Sequence, residues 1–196
     1  MIGVYTKNMG GVWFGVACDE QRIFGTAFSF SEEEALRSLL SGIPFNVPFQ
    51  AFSEPSVFAA DALASVKNVY DGKDVLQGFP LAIDHLPVYT RGVLEVTSLI
   101  PVGYVTSYGS IAKAAGGSPR AVGNVMAANP FAPIVPCHRV VSSDFTLGGY
   151  GGGLDLKLEF LVREKKGYTS QREILVGDRK LQMFPVEFVL RKVKRD

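Results

Sequence analysis

Two cysteines, two histidines and one tryptophan are all that this 196-residue chain carries of those residue types. So few cysteines build no disulfide framework. Cys18 ends an apolar strand pattern and reads as core, and His85 stands just before Leu86-Pro87 as a linker residue. With the other cysteine and histidine joined in one dipeptide, Cys18 and His85 cannot make a closed zinc site. Neither a metal nor an organic cofactor is expected. Long apolar runs are also missing, and nothing resembles a signal peptide. The expectation is a soluble, intracellular protein, cytoplasmic (nuclear if eukaryotic), in a reducing compartment. A net charge of +1 excludes a strong overall basic field. Any polyanion must then be held by a local patch. The charge is unevenly spread, with net −5 over residues 1–85, +1 over 86–162 and +5 over 163–196.

What the chain does have is Pro136-Cys137-His138-Arg139-Val140. It follows the apolar run Phe131 to Val135, read as a short strand, and precedes a loop rich in glycine, Gly148 to Gly153. A thiol beside an imidazole is a candidate activated nucleophile, although free cysteine is more often a small buried hydrophobe. Upstream, Tyr108 to Ala115 has a short helical pattern that stops at Gly116-Gly117. Ser118 as N-cap and Pro119 at the first helical position then open a second helix through Ala127, ended by Asn129-Pro130. Two short helices across a glycine turn form a helix-turn-helix, or else a plain helical hairpin. Arg120 is the only charged residue of the second helix. A sequence-specific reader carries several Arg, Asn or Gln there.

Five ordered blocks now stand together: Leu99 to Gly103 with Ser107 to Ala112, Ser118 to Gly123, Asn129-Pro130, Pro136 to Val140, and Tyr150 to Leu154. They resemble the C-terminal domain of the O6-alkylguanine-DNA alkyltransferases, the methylated-DNA–protein-cysteine methyltransferases, from about Leu86 to Gly167. The resemblance implies that Cys137 accepts an alkyl group from guanine O6, with His138 as base and Glu164 holding it. Without the family, Glu164 among Arg163, Lys165 and Lys166 reads as a solvated helix-end carboxylate. The family also implies Tyr108 as donor to the leaving guanine and Arg120 as the finger that replaces a base flipped from the duplex. Ser118, Ala121, Gly123, Ala127 and Asn129 would complete a small helix lying in the minor groove. Asn129, Met126, Val140, Val141, Tyr150 and Gly151 would line the base pocket. Gly151 departs from the pattern, standing where many relatives have serine. The loop Ser142 to Leu147 is individual in composition and would govern which O6 adducts fit.

Two other readings compete. One is a helix-turn-helix lesion sensor or regulator with a structural Cys137. The other is a Cys-His hydrolase, for which no oxyanion motif is evident.

The first 85 residues read as an α+β domain without recognisable chemistry. Three strands, Val4 to Thr6, Gly11 to Cys18 and Arg22 to Phe30, are expected as a meander turning at Asp19 to Gln21. Ser31 to Glu34 reads as a capping box for a helix through Leu40. Gly42 to Pro55 reads as a connector, Ser56 to Tyr70 as a helix, and Leu81 to Ile83 as a further strand. A helix over Leu154 to Arg163 would place Leu156, Phe160 and Leu161 inward. The tail suggests a hairpin, Glu173 to Val176 and Lys180 to Phe184, and a strand Val186 to Leu190 that completes the N-terminal sheet. Arg191, Lys192, Lys194 and Arg195 would then be a solvated end.

The expected fold class is α+β. Residues 1–85 form a structural domain, 86–167 the alkyltransferase domain and 168–196 a basic, β-rich extension. The family resemblance makes the first ribonuclease-H-like and the second a mostly helical, winged helix-turn-helix-like active-site domain. Double-stranded DNA carrying O6-alkylguanine is the implied partner, met by a monomer without a membrane.

Overall fold

Three strands open the chain as an antiparallel meander, β1 (Ile2–Met9), β2 (Val12–Cys18) and β3 (Ile23–Ser29). The computed structural model describes residues 1–74 and 78–194. Gly10 and Gly11 turn β1 into β2 with φ of +70° and +85°, values suited to a two-residue hairpin and costly for other residues. At the next turn Asp19 accepts from the backbone N–H of Gln21 and Arg22 at 2.8 and 2.6 Å.

Helix α1 (Glu32–Gly42) follows, but the expected capping box does not form. Ser31 makes no side-chain cap; Ser29 Oγ instead donates to Glu34 and accepts from the Ser31 N–H. Ala35 and Leu39 of α1 pack onto the sheet with Ile2, Val4, Ala17 and Phe24. The connector holds a strand the sequence does not announce, β4 (Phe49–Ala51), parallel to β1. Its three residues are all exposed, so no buried alternation marks it. Helix α2 (Val57–Tyr70) ends on Tyr70, whose ring meets Phe14 and Phe28. Leu81 makes only an isolated parallel bridge to Ile23, not a strand.

The second sheet has the order β6-β5-β8-β7. Its elements are α3 (Val88–Ser98), β5 (Tyr104–Ser107), α4 (Tyr108–Ala115), α5 (Pro119–Ala127), β6 (Val140–Val141), α6 (Leu154–Arg163), β7 (Arg172–Val176), β8 (Arg179–Pro185) and α7 (Val186–Val193). The two sheets and seven α-helices among the described residues make this a mixed α+β protein.

The chain forms two compact units, Met1–Tyr70, Val75–Leu86 and Pro130–Ile134 in one, and Asp71–Asp74, Pro87–Asn129 and Val135–Asp196 in the other. The tail therefore corrects two expectations. β8 pairs antiparallel with β5, through Tyr104↔Pro185 and Val105↔Phe184, so the hairpin extends the second sheet and not the N-terminal one. Val186 to Leu190 is helical: Val186, Val189, Leu190 and Val193 recur at i, i+3, i+4 and i+7 and pack with Val105, Val141 and Leu161. Arg195, grouped with the solvated end, lies outside the described residues.

A third correction bears on the site. Phe131 to Val135 is a run of turns and not a strand. Pro130, Pro133 and Pro136 lack the N–H that a ladder needs, and they recur every third residue. No helix among the described residues is long and apolar enough to cross a membrane.

Candidate active site

Cys137 opens a single turn of 3-10 helix, Cys137–Arg139, between Pro136 and β6. All three residues are buried. That turn delivers two consecutive side chains, His138 and Arg139, to Glu164, which is wholly buried at the end of α6. The solvated reading of Glu164 is thereby excluded. Its carboxylate takes His138 Nε2 at 2.8 Å on Oε1, and Arg139 through Nε at 2.9 Å on Oε2 and Nη2 at 2.8 Å on Oε1. Arg139 Nη1 continues to the Ile100 carbonyl at 2.6 Å. The imidazole lies flat against Phe160, with centroids 4.4 Å apart. Asn129 Nδ2 donates to the Val135 carbonyl at 2.9 Å, which pins the end of α5 to the approach of the cysteine.

Burial pushes the Glu164 carboxyl up, but His138 and the permanently charged Arg139 outweigh it and hold it at about 2. Glu164 is therefore ionised. Burial lowers His138, which is neutral at rest. A neutral imidazole bonded to a carboxylate through Nε2 carries its proton there, which leaves Nδ1 as a lone pair. Nδ1 is a buried atom without a hydrogen-bond partner. It is a base with its proton site open. Burial raises the Cys137 thiol, while the Asn129 hydrogen bond and the charge of Lys157 pull it back part of the way. At rest Cys137 is a neutral thiol, which would need a base to act as a nucleophile.

Lys157 escaped the sequence reading. It is fully buried in α6, and its ammonium donates to three carbonyls: Val140 and Leu147 at 2.6 Å each and Gly149 at 3.1 Å. It thus ties β6 to the glycine-rich loop. The charge also faces the rings of Tyr108 and Tyr150, at 5.8 and 5.9 Å. Burial lowers Lys157 to about 8, against the pull of Cys137. Lys157→Met keeps the bulk but frees three carbonyls and removes a cation whose charge favours the thiolate. We expect the alkylation rate to fall roughly tenfold or more and its alkaline inflection to move up, because the thiolate loses a counter-charge. A pH–rate profile checks this; an unmoved inflection would confine Lys157 to holding the loop.

Tyr108 starts α4 behind Ser107, whose Oγ accepts from the Ser110 N–H at 3.0 Å. Its hydroxyl donates to the Gly149 carbonyl at 3.2 Å, and burial raises its pKa. A Cβ on Gly148 would come within 2.9 Å of this ring, and φ there is +67°, so glycine is required twice over. Tyr150 packs edge-on against Phe160. Gly151 is exposed, with open space around its Cα. The Ser142 to Leu147 loop is held by Phe145, which has φ of +66° and seats its ring on Phe184 and Phe188.

The other candidates divide by exposure. Ser118 caps α5 by accepting from the Ala121 N–H at 3.2 Å. Ser118, Arg120 and Ala127 are exposed, Ala121 and Gly123 partly so. Met126 is buried with Thr97 of α3 on its sulfur. Val140 and Val141 are buried in β6, where Val141 packs toward Leu161 and Val186. Cys18, the other thiol, is buried in β2 and pushed up to about 12 by burial and by Asp19. Among the described residues, no group of three or more His, Cys, Asp and Glu is placed to hold a metal ion.

Residues 88–166 match the family model described as 6-O-methylguanine DNA methyltransferase, DNA binding domain. A methylated-DNA–protein-cysteine methyltransferase of Methanothermobacter thermautotrophicus is 39% identical over 122 residues, covering 61% of this chain and 68% of that protein. The chain belongs to this family. The crystal structure of the O6-methylguanine-DNA methyltransferase of Pyrococcus kodakaraensis superimposes with a TM-score of 0.61 at 30% identity, over 84% of this chain and 99% of that one. Mycobacterium tuberculosis OGT in complex with DNA gives a TM-score of 0.64 at 26% identity, over 83% and 92%. Cys137, His138 and Glu164 all lie within the matched segment.

Proposed function

We propose that this methyltransferase repairs DNA directly, moving an alkyl group from guanine O6 in a duplex to Cys137. The observation that carries the reading is the open Nδ1 of a neutral His138, fixed by Glu164 next to a buried thiol. In the reaction the thiol proton passes to Nδ1, directly or through water. Sγ attacks the alkyl carbon, forming an S–C bond as the C–O6 bond breaks, and the electron pair leaves on guanine. Tyr108, released from Gly149, supplies a proton to the departing base. The imidazolium formed is stabilised by Glu164, following the logic of nucleophile, base and orienter. The thioether product is no leaving group, so each molecule acts once.

The substrate carbon lies inside a duplex, so the base must be extruded, at a cost of a few kcal/mol. Under this reading α4 and α5 are the helix-turn-helix of a winged helix-turn-helix-like domain, α5 lies in the minor groove through its small residues, and Arg120 fills the vacated stack. Asn129, Met126, Val140, Val141, Tyr150 and Gly151 form the base pocket. The N-terminal domain is ribonuclease-H-like and structural, and the protein works as a monomer in the cytoplasm, or in the nucleus of a eukaryote.

The test is to incubate the protein with a duplex carrying O6-methylguanine and weigh it. A gain of one methylene, about 14 Da, on Cys137 and no more than one per protein is expected. No gain with retained binding would make it a lesion sensor, and multiple turnover a hydrolase. Arg120→Ala separates flipping from chemistry. Repair of duplex should fall by tenfold or more, since extrusion loses its substitute in the stack. Reaction with free O6-benzylguanine, which needs no flipping, should change less than about twofold. Equal loss on both substrates would show that Arg120 supports the pocket instead.

A further inference from the structure

The hairpin β7–β8 carries a side chain that the reading above leaves unused. Arg179, exposed at the start of β8, reaches α4. Its Nη1 donates to the Lys113 carbonyl at 3.5 Å. That carbonyl belongs to the last turn of α4, where helix acceptors lack partners within the helix. The same nitrogen is 3.5 Å from where a Cβ on Gly116 would stand, so the guanidinium lies over the bend between α4 and α5. Gly116 and Gly117 make that bend with φ of +93° and +85°.

The surroundings are cationic. Between Glu95 and Asp144 the sequence has no carboxylate at all. Lys113 and Arg120 are exposed on either side of the bend. On the hairpin, Glu173 is engaged by Lys180 at 2.7 Å, and only Asp178 at the tip opposes Arg179 in sequence. Lys113 and Arg120 thus flank the bend in sequence, and Arg179 lies over it. Among the described residues none of these three cations is in an ion pair with a carboxylate, and an extended polyanion matches them.

We propose that Arg179 is a phosphate contact, through which the β7–β8 hairpin grips the DNA backbone beside the helix pair. The inference rests on the reading that this unit binds DNA, and it gives the basic extension a function. Unlike the finger role of Arg120, it requires no lesion and no flipped base. Each neutralised phosphate contributes about 0.9 to the slope of log affinity against log salt.

The experiment measures binding to an undamaged labelled duplex from roughly 50 to 200 mM salt. Arg179→Gln should lower the slope by about one and the affinity by roughly fivefold to tenfold near 0.1 M. Arg179→Lys keeps the charge and should stay within about twofold of wild type. An unchanged slope in Arg179→Gln overturns the proposal. So does an equal loss in both variants, because the bond to Lys113 would then be the whole role. If the wild type binds duplex without salt dependence, or not at all, the DNA reading itself fails, whatever the variants do.

Discussion

Cys137→Ala will gain no mass from an O6-methylguanine duplex, yet bind that duplex within about threefold of wild type. Loss of transfer is total because no second thiol can substitute. Cys18 is buried in β2 and pushed up to about 12, so it offers neither access nor thiolate. Binding survives because the resting Cys137 thiol is neutral, raised by burial. Alanine therefore removes no charge from the cluster of Lys157, His138, Arg139 and Glu164. What is lost in the fold is a small apolar group, and about 1 kcal/mol of stability is the scale of such a cavity. Intact-protein mass, anisotropy on lesion and undamaged duplexes, and a thermal scan as fold control measure transfer, binding and stability in turn. Binding that vanished in a folded variant would mean that sulfur itself seats the base. Transfer that persisted would move the acceptor away from Cys137.

Much of this was legible in the chain because helix ends write themselves locally. Ser118-Pro119 opens α5 where a capping serine and a proline at the first position belong, and Gly116-Gly117 closes α4. The meander was equally readable from its turns. Elements that depend on distant partners were not. β4 is an exposed edge strand of three residues, which no periodicity reveals. Val186 to Leu190 is too short for strand and helix periods to separate, and its apolar spacing continues to Val193. The apolar run before Cys137 reads as a strand until Pro133 within it and Pro130 and Pro136 on either side are weighed.

The site shows the same division. Cys137 and His138 stand together in sequence, whereas Lys157 is missed because a lysine in an amphipathic helix is normally placed outside. A signal was present. Lys157, Phe160, Leu161 and Glu164 fall at i, i+3, i+4 and i+7, so the face of α6 that buries Phe160 must bury both charges with it. Leu156, expected inward, is only half-buried. Two opposite charges on the core face of one helix are a site written in sequence.

Glu164→Gln should slow alkylation by about a hundredfold and destabilise the protein by about 3 kcal/mol, the range for breaking a buried ion pair. Gln keeps the shape but leaves Arg139 buried without its carboxylate, and His138 without the acceptor that fixes its tautomer. Loss of tautomer control strikes the rate, since the proposed transfer needs Nδ1 free to take the thiol proton. Loss of charge strikes stability, with a signature in pH. The wild-type carboxyl is held at about 2 in the fold, below its unfolded value near 4.5. A depressed carboxylate contributes stability that is complete above the unfolded value and disappears as pH falls toward the folded one. The stability gap between wild type and Glu164→Gln should therefore be flat above about pH 5 and close progressively between 4.5 and 2. Urea unfolding at several pH values measures the gap, and single-turnover kinetics the rate. A gap that stayed constant down to pH 2 would show that Glu164 is not held ionised in the fold. An unchanged rate would take it out of the mechanism even if the gap behaved as expected.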